Sequence, residues 1–177
     1  MQPFRLMLAG GKPNSLGRTL EVVAEVLADR ARMADLYDCY GSDDELVRLR
    51  TSNACRRVFR ERPDLFAEYA DRLLDEVAEI DQPSAKWTLA QIFLEHDRRL
   101  TDAQRARAKA VVVRNLLCED DWIALNMSMK TLETWTKTDA TLKPQIVARV
   151  RALADDRRRS VSKGAHKLLA AMGEPVF

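Results

Sequence analysis

Glycine and proline are scarce in this chain, six of each among 177 residues, and aromatic residues make up only 6%. β-Rich folds and Gly-rich cofactor loops need more turn formers than that, so the scarcity argues against both. The three cysteines, Cys39, Cys55 and Cys118, are odd in number and far apart. No C-x-x-C and no Cys–His spacing is present that would hold zinc or frame a disulfide scaffold, which fits a reduced, cytoplasmic setting. Neither sign of charge dominates: 29 Lys and Arg face 27 Asp and Glu, a net charge of +2. A strongly basic DNA-coating protein and an acidic disordered tail are thereby excluded, whereas a local basic patch is not. No apolar run approaches the ~18 residues that span a bilayer. The opening apolar stretch, Leu6 to Ala9, is shorter than the roughly 7–15 residues of a signal-peptide core, and no small-residue cleavage site follows. Residues 1–17 are therefore expected to form a flexible tail, and residues 18–177 a single domain. Arginine outnumbers lysine and alanine is abundant, a composition that fits a GC-rich bacterial source.

What the chain does have is helical periodicity. Leu20, Val22, Val23, Val26 and Leu27 form one stripe, and Met33, Leu36, Tyr37 and Tyr40 continue it until Gly41. Ser42-Asp43-Asp44-Glu45 reads as a capping box opening a helix to about Glu61, which Arg62-Pro63 ends. The next segment sets Leu65, Phe66, Tyr69, Ala70, Leu73, Leu74 and Val77 on one side and Asp71, Arg72, Asp75, Glu76 and Glu79 on the other. Asp81 is expected to cap a helix through Ala85 to His96, with Pro83 tolerated in its first turn. Thr101-Asp102-Ala103-Gln104 is a second capping box, for a helix to about Cys118. Further helices run from Asp120-Asp121 to Trp135, from Thr141 through Leu153, and from Ser160 to Met172, where Gly173 closes the last. Nine helices and no strand make an all-α fold.

These helices repeat. Taking Val47, Ala85, Ala124 and Val161 as anchors gives separations of 38, 39 and 37 residues. Thr51, Leu89, Ser128 and Ala165 follow at +4, and Cys55, Phe93, Leu132 and Leu169 at +8. Asp43, Asp81 and Asp120 precede the first three anchors by four. A two-helix unit has too little core to stand alone, so such units stack their apolar faces. Asp43-Asp44-Glu45-Leu46-Val47-Arg48-Leu49-Arg50-Thr51-Ser52-Asn53-Ala54 resembles the HEAT-like (armadillo-type) repeat, an acid, then Val-Arg, then small residues. The stretch from Asp156 to Leu169 resembles it too, while Ala85-Lys86 and Ala124-Leu125 depart from Val-Arg. Across residues 18–173 the resemblance implies a right-handed α-α superhelix (solenoid) of about four helical-hairpin repeats.

Chemistry is hard to find. Gly10-Gly11-Lys12-Pro13-Asn14-Ser15 lacks the glycine spacing of a phosphate loop. His96 and His166 have no second ligand at helical spacing, and neither a nucleophile elbow nor a zincin motif occurs. No catalytic residue, metal site or cofactor is expected. The alkylpurine DNA glycosylases, an enzyme class of HEAT-like fold, use tryptophans and an Asp in a basic groove. Trp122 with Asp120 and Asp121 resembles that arrangement, although no family motif maps onto these positions one by one. Trp135 is expected in the core, with Trp87 and Trp122 partly exposed.

Charge distribution carries the functional expectation. One second helix exposes acids around Glu76, the next shows Arg105, Arg107, Lys109 and Arg114, and the last helices carry Arg149, Arg151, Arg157 to Arg159, Lys163 and Lys167. In HEAT-like solenoids second helices line the concave face, so the resemblance implies a groove grading from acidic to basic. Such a surface suits a protein or peptide partner, with Glu76, Arg105, Lys109 and Arg149 as the candidate binding residues. The alternative is a nucleic-acid-binding protein whose arginines contact phosphate. No membrane association is expected.

Overall fold

The computed structural model describes residues 2–175, and residues 1 and 176–177 at the ends of the expected tail and domain lie outside it. Ten α-helices and, among the described residues, no strand are present: α1 (Phe4–Leu8), α2 (Thr19–Ala28), α3 (Met33–Tyr37), α4 (Glu45–Glu61), α5 (Pro63–Asp75), α6 (Pro83–Glu95), α7 (Asp102–Cys118), α8 (Trp122–Trp135), α9 (Lys143–Ala154) and α10 (Arg159–Ala171). None is long and apolar enough to cross a membrane. The all-α expectation holds, and the chain divides into two compact units, Met1–Leu100 and Thr101–Phe177, where one domain was expected.

In the first unit α4 is the hub, packed against α2, α5 and α6. Its inward residues Val47, Thr51, Ala54, Cys55, Val58 and Phe59 recur at three- and four-residue spacing and are buried. Phe59, Phe66 and Tyr69 stack edgewise and tilted beneath them, with Phe59 and Phe66 centroids 5.9 Å apart. Each large side chain so buried contributes roughly 1.5–3 kcal/mol. In the second unit α8 packs on α7 and α10, and α9 on α7 and α10. The small +4 residues Thr51, Ser128 and Ala165 are all buried, which lets these helices approach closely.

Several links join positions one period apart within a unit. Gln82 Nε2 donates to the Glu45 carbonyl at 2.9 Å, 37 residues back. Arg56 pairs with Glu95 across 39 residues. Arg158 donates to the carbonyl of Asp120, and to its carboxylate at 2.9 Å, across 38. The spacing seen in the sequence is thus also a spacing of contacts.

Helix starts follow the sequence with two changes of cap. The Thr101–Gln104 box forms as expected, Thr101 Oγ1 accepting from the Gln104 amide at 3.2 Å and Gln104 Oε1 from the Thr101 amide at 3.1 Å. The box expected at Ser42 does not: Asp44 caps α4 instead, its carboxylate accepting from the Leu46 amide at 2.8 Å. A carboxylate at a helix N-terminus gains from the helix dipole as well as the hydrogen bond, which favours Asp44 over the neutral hydroxyl. Asp81, likewise expected as a cap, accepts from Lys86 Nζ at 2.7 Å while Gln82 holds the N-cap position.

The largest departure lies at the N-terminus. Within the stretch expected as a tail, α1 buries Phe4, Met7 and Leu8, and Arg32 lies over the Phe4 ring at 3.8 Å. The loop that follows wraps the side chain of Arg50, which is 2% exposed in the middle of α4. Its guanidinium donates to the carbonyls of Leu8 (2.7 Å), Gly10 (2.6 Å), Lys12 (3.2 Å) and Ser15 (3.2 Å). A buried guanidinium without a carboxylate is tolerated because these four oxygens replace its water.

Candidate functional site

The four binding residues expected from sequence are all engaged within the chain. Glu76 accepts from Arg72 Nε at 2.9 Å, one helical turn away. Arg105 Nη1 bonds Asp102 at 2.9 Å, and Lys109 Nζ bonds Asp139 at 2.7 Å. That bond, reinforced by the Thr141 hydroxyl, holds the Asp139 carboxyl down at about 2. Arg149 reaches the C-terminal end of α7, donating to the carbonyls of Leu116 (3.3 Å) and Glu119 (3.0 Å), acceptors a helix leaves unpaired. Arg105, Lys109 and Arg149 belong to the second unit and Glu76 to the first.

The tryptophan–carboxylate cluster is also committed elsewhere. Trp122 is 51% exposed, but Asp121 is the N-cap of α8, accepting from the Ile123 and Ala124 amides at 2.9 Å each. Asp120 is bonded to Arg158, which also bonds Asp156 at 2.7 Å and pulls that carboxyl far below its ordinary value. Trp135 is buried and Trp87 half-buried.

A different set of residues does converge. Between α8 and α10 runs a groove of about 430 Å³, with Lys130 on one side and Lys163 and Lys167 on the other. Asn126, Ser160, Glu133 and Thr134 supply its remaining polar edge, and Met127, Met129 and Gly164 its apolar floor. The helices are close at Gly164, where a Cβ would stand 2.8 Å from both Asn126 Oδ1 and Met129 Cε and would push those side-chain ends aside. Asn126 is held by its amide nitrogen, which donates to the Trp122 carbonyl at 2.8 Å and lies 3.4 Å from Ser160 Oγ. Beside the groove, Arg159 and His166 extend the basic surface of α10.

Among the described residues none of Lys130, Lys163 and Lys167 forms an ion pair. The second unit holds 14 Lys and Arg against 9 Asp and Glu, the first 15 against 18, so the small net charge of the whole chain conceals opposite halves. Sequence reasoning noted Lys163 and Lys167 only as part of a basic helix and missed Lys130. The signal was present in the repeat register: Lys130 and Lys167 both stand six residues after their anchors, Ala124 and Val161.

His166 is partly exposed on α10, and among the described residues no group of three His, Cys, Asp or Glu is placed to hold a metal ion. In comparisons with known proteins, no family model, no curated protein and no solved structure matches the chain.

Proposed function

We propose that this chain is a non-catalytic module of stacked helical hairpins, HEAT-like in its repeat, that holds an acidic segment of a partner protein in the groove between α8 and α10. One observation carries this reading: Lys130, Lys163 and Lys167 face the same groove with no carboxylate of their own. In the same unit Lys109, Lys143, Arg151 and Arg158 are all paired. Unpaired ammonium groups around a concavity raise the local concentration of an anionic partner and fix its register. The methionine floor favours a peptide over a bare phosphate chain, because it offers an aliphatic or aromatic side chain a polarisable seat. Glu133 on the rim works against a continuous phosphodiester backbone. The contact recurrence at one period supports the repeat reading.

Nucleic acid is the second reading, favoured by the row Arg159, Lys163, Lys167, spaced one turn apart along α10. A labelled Glu-rich peptide containing leucine, a short DNA single strand and a duplex, each titrated into the full chain at low and moderate salt, separate the two. Tighter peptide binding, lost in Lys163→Glu and Lys130→Glu, supports the first reading. DNA binding that falls steeply with salt, without peptide binding, transfers the function to the second. Binding of neither overturns both.

A further inference from the structure

The first unit contains a second groove, of opposite charge, where the starts of α4 and α6 meet the N-terminal loop. Its volume is about 400 Å³, and Leu46, Leu49, Pro83 and Trp87 are among the residues that line it. All four are partly exposed, whereas the other exposed large apolar residues, such as Leu6 and Leu117, are scattered along the chain. A concentration of half-exposed leucine, proline and indole in one concavity is the composition of a binding anchor site.

The groove is built before any ligand arrives. At its base Gln82 spends its whole amide: Nε2 donates to the Glu45 carbonyl and to Ser84 Oγ at 2.5 Å, and Oε1 accepts from Arg48 Nε at 2.7 Å. One wall is Pro13, and the carbonyls on either side of it, those of Lys12 and Ser15, are both bound by the buried Arg50. The guanidinium thus fixes the wall from inside the unit, and little ordering entropy remains to be lost on binding.

Charge decides the occupant. Asp44 and Glu45 line the groove and Asp43 precedes them, while no Lys or Arg lines it. Trp87 makes no hydrogen bond among the described residues, so its indole N–H is available to a ligand carbonyl and its face to a cation. We infer that this groove is a binding site for a peptide segment that carries a large aliphatic or aromatic side chain beside arginine. The apolar side chain sits between Leu46, Leu49 and Pro83, and the arginine spans the Trp87 face and the Glu45 carboxylate.

The test uses the full chain in a Trp122→Phe background, so that Trp87 is the one indole open to ligand. A short labelled peptide with leucine between two arginines is titrated beside two controls, one with glutamates for the arginines and one with glycine for the leucine. The expected result is a shift of Trp87 emission together with binding that weakens at least about tenfold in either control, in Glu45→Lys and in Leu49→Ser. Lys163→Glu, in the other unit, leaves this binding unchanged and so separates it from the function proposed above. Should Leu49→Ser lower the thermal midpoint, Glu45→Lys, on the surface, decides. No binding of the arginine peptide, binding equal in Glu45→Lys, or binding that leaves Trp87 emission unmoved overturns the inference.

Discussion

Gly17 stands against the guanidinium of Arg50, where an added Cβ would lie 2.9 Å from Cζ and from Nη1. The backbone there has φ of +52°, a region that suits glycine. Gly17→Ala is therefore expected to cost about 1–3 kcal/mol, from the left-handed backbone and the crowding of a buried charge. Arg50→Met removes the donors for four carbonyls and is expected to cost about 2–4 kcal/mol. Both losses are read as lower denaturant midpoints. Hydrogen exchange locates them, with faster exchange of amides in residues 4–17 than elsewhere in the first unit.

His96 stacks on Phe66, centroids 4.5 Å apart, and is 5% exposed with Nε2 unpartnered. Burial lowers its pKa, Glu95 pulls it up, and Arg99 and Arg60 lower it further. The unfolded chain therefore takes up the proton first as pH falls. The stability tied to neutral His96 is complete above the ordinary histidine range and declines below about pH 6.5. Asp139, held at about 2, adds a separate loss as pH falls from about 4 toward 2. His96→Leu is expected to flatten the dependence of the urea midpoint between about pH 7 and 5 while leaving the more acidic limb in place.

Three helix starts offer a graded comparison. Thr101→Ala breaks a reciprocal box and is expected to cost about 1 kcal/mol, and Asp121→Ala, which frees two amides, about 1–2 kcal/mol. Asp44→Ala, which removes the acceptor of the Leu46 amide at the start of α4, is expected to cost about 1 kcal/mol. Equilibrium unfolding of the three variants checks the order. An Asp44→Ala variant as stable as the parent contradicts the assignment of Asp44 as the cap.

The cysteines differ in the same measurable way. Cys118 is exposed, while Cys39 and Cys55 are buried, and burial raises the Cys39 thiol to about 11 and Cys55 higher still. Thiolate is the reactive form, so a thiol reagent added to the native chain at neutral pH is expected to label Cys118 alone. All three react after denaturation. Rapid native labelling of a second cysteine would show that the first unit opens readily around α3 or α4.

Helix positions were legible because periodicity, proline and glycine act locally: Pro63 opens α5 and Gly173, at φ +69°, ends α10 where the sequence stops being periodic. The N-terminal clasp was not. Gly10-Gly11-Lys12-Pro13-Asn14-Ser15 has no apolar pattern, and its partner is an arginine that reads as one of several on α4. Only tertiary burial distinguishes Arg50 from Arg57, whose guanidinium bonds Asn53 at the surface. The candidate groove was half legible. Charge on α10 was visible, but Lys130 joins it through the packing of α8 on α10, and a lone mid-helix glycine at that contact does not announce its neighbour. Arg105, Lys109 and Arg149 were singled out for charge alone, which does not reveal that Asp102, Asp139 and two carbonyls already hold them.

The clasp around Arg50 has a consequence for how many copies of the chain come together. Its carbonyls lie 35 to 42 residues before Arg50, close to the distance at which one helix of the repeat meets the next. The helix of Phe4, Met7 and Leu8, α1, packs against α2, α3 and α4. With those residues gone, the bare side of α2 and α4 would fit the kind of surface that hairpins bury against one another. Contacts of that head-to-tail kind need not close into a ring, and copies joined by them grow without limit into filaments. Phe4, Met7 and Leu8, held in place with the loop that Arg50 binds, thus keep an apolar side of α2 and α4 from meeting a second copy.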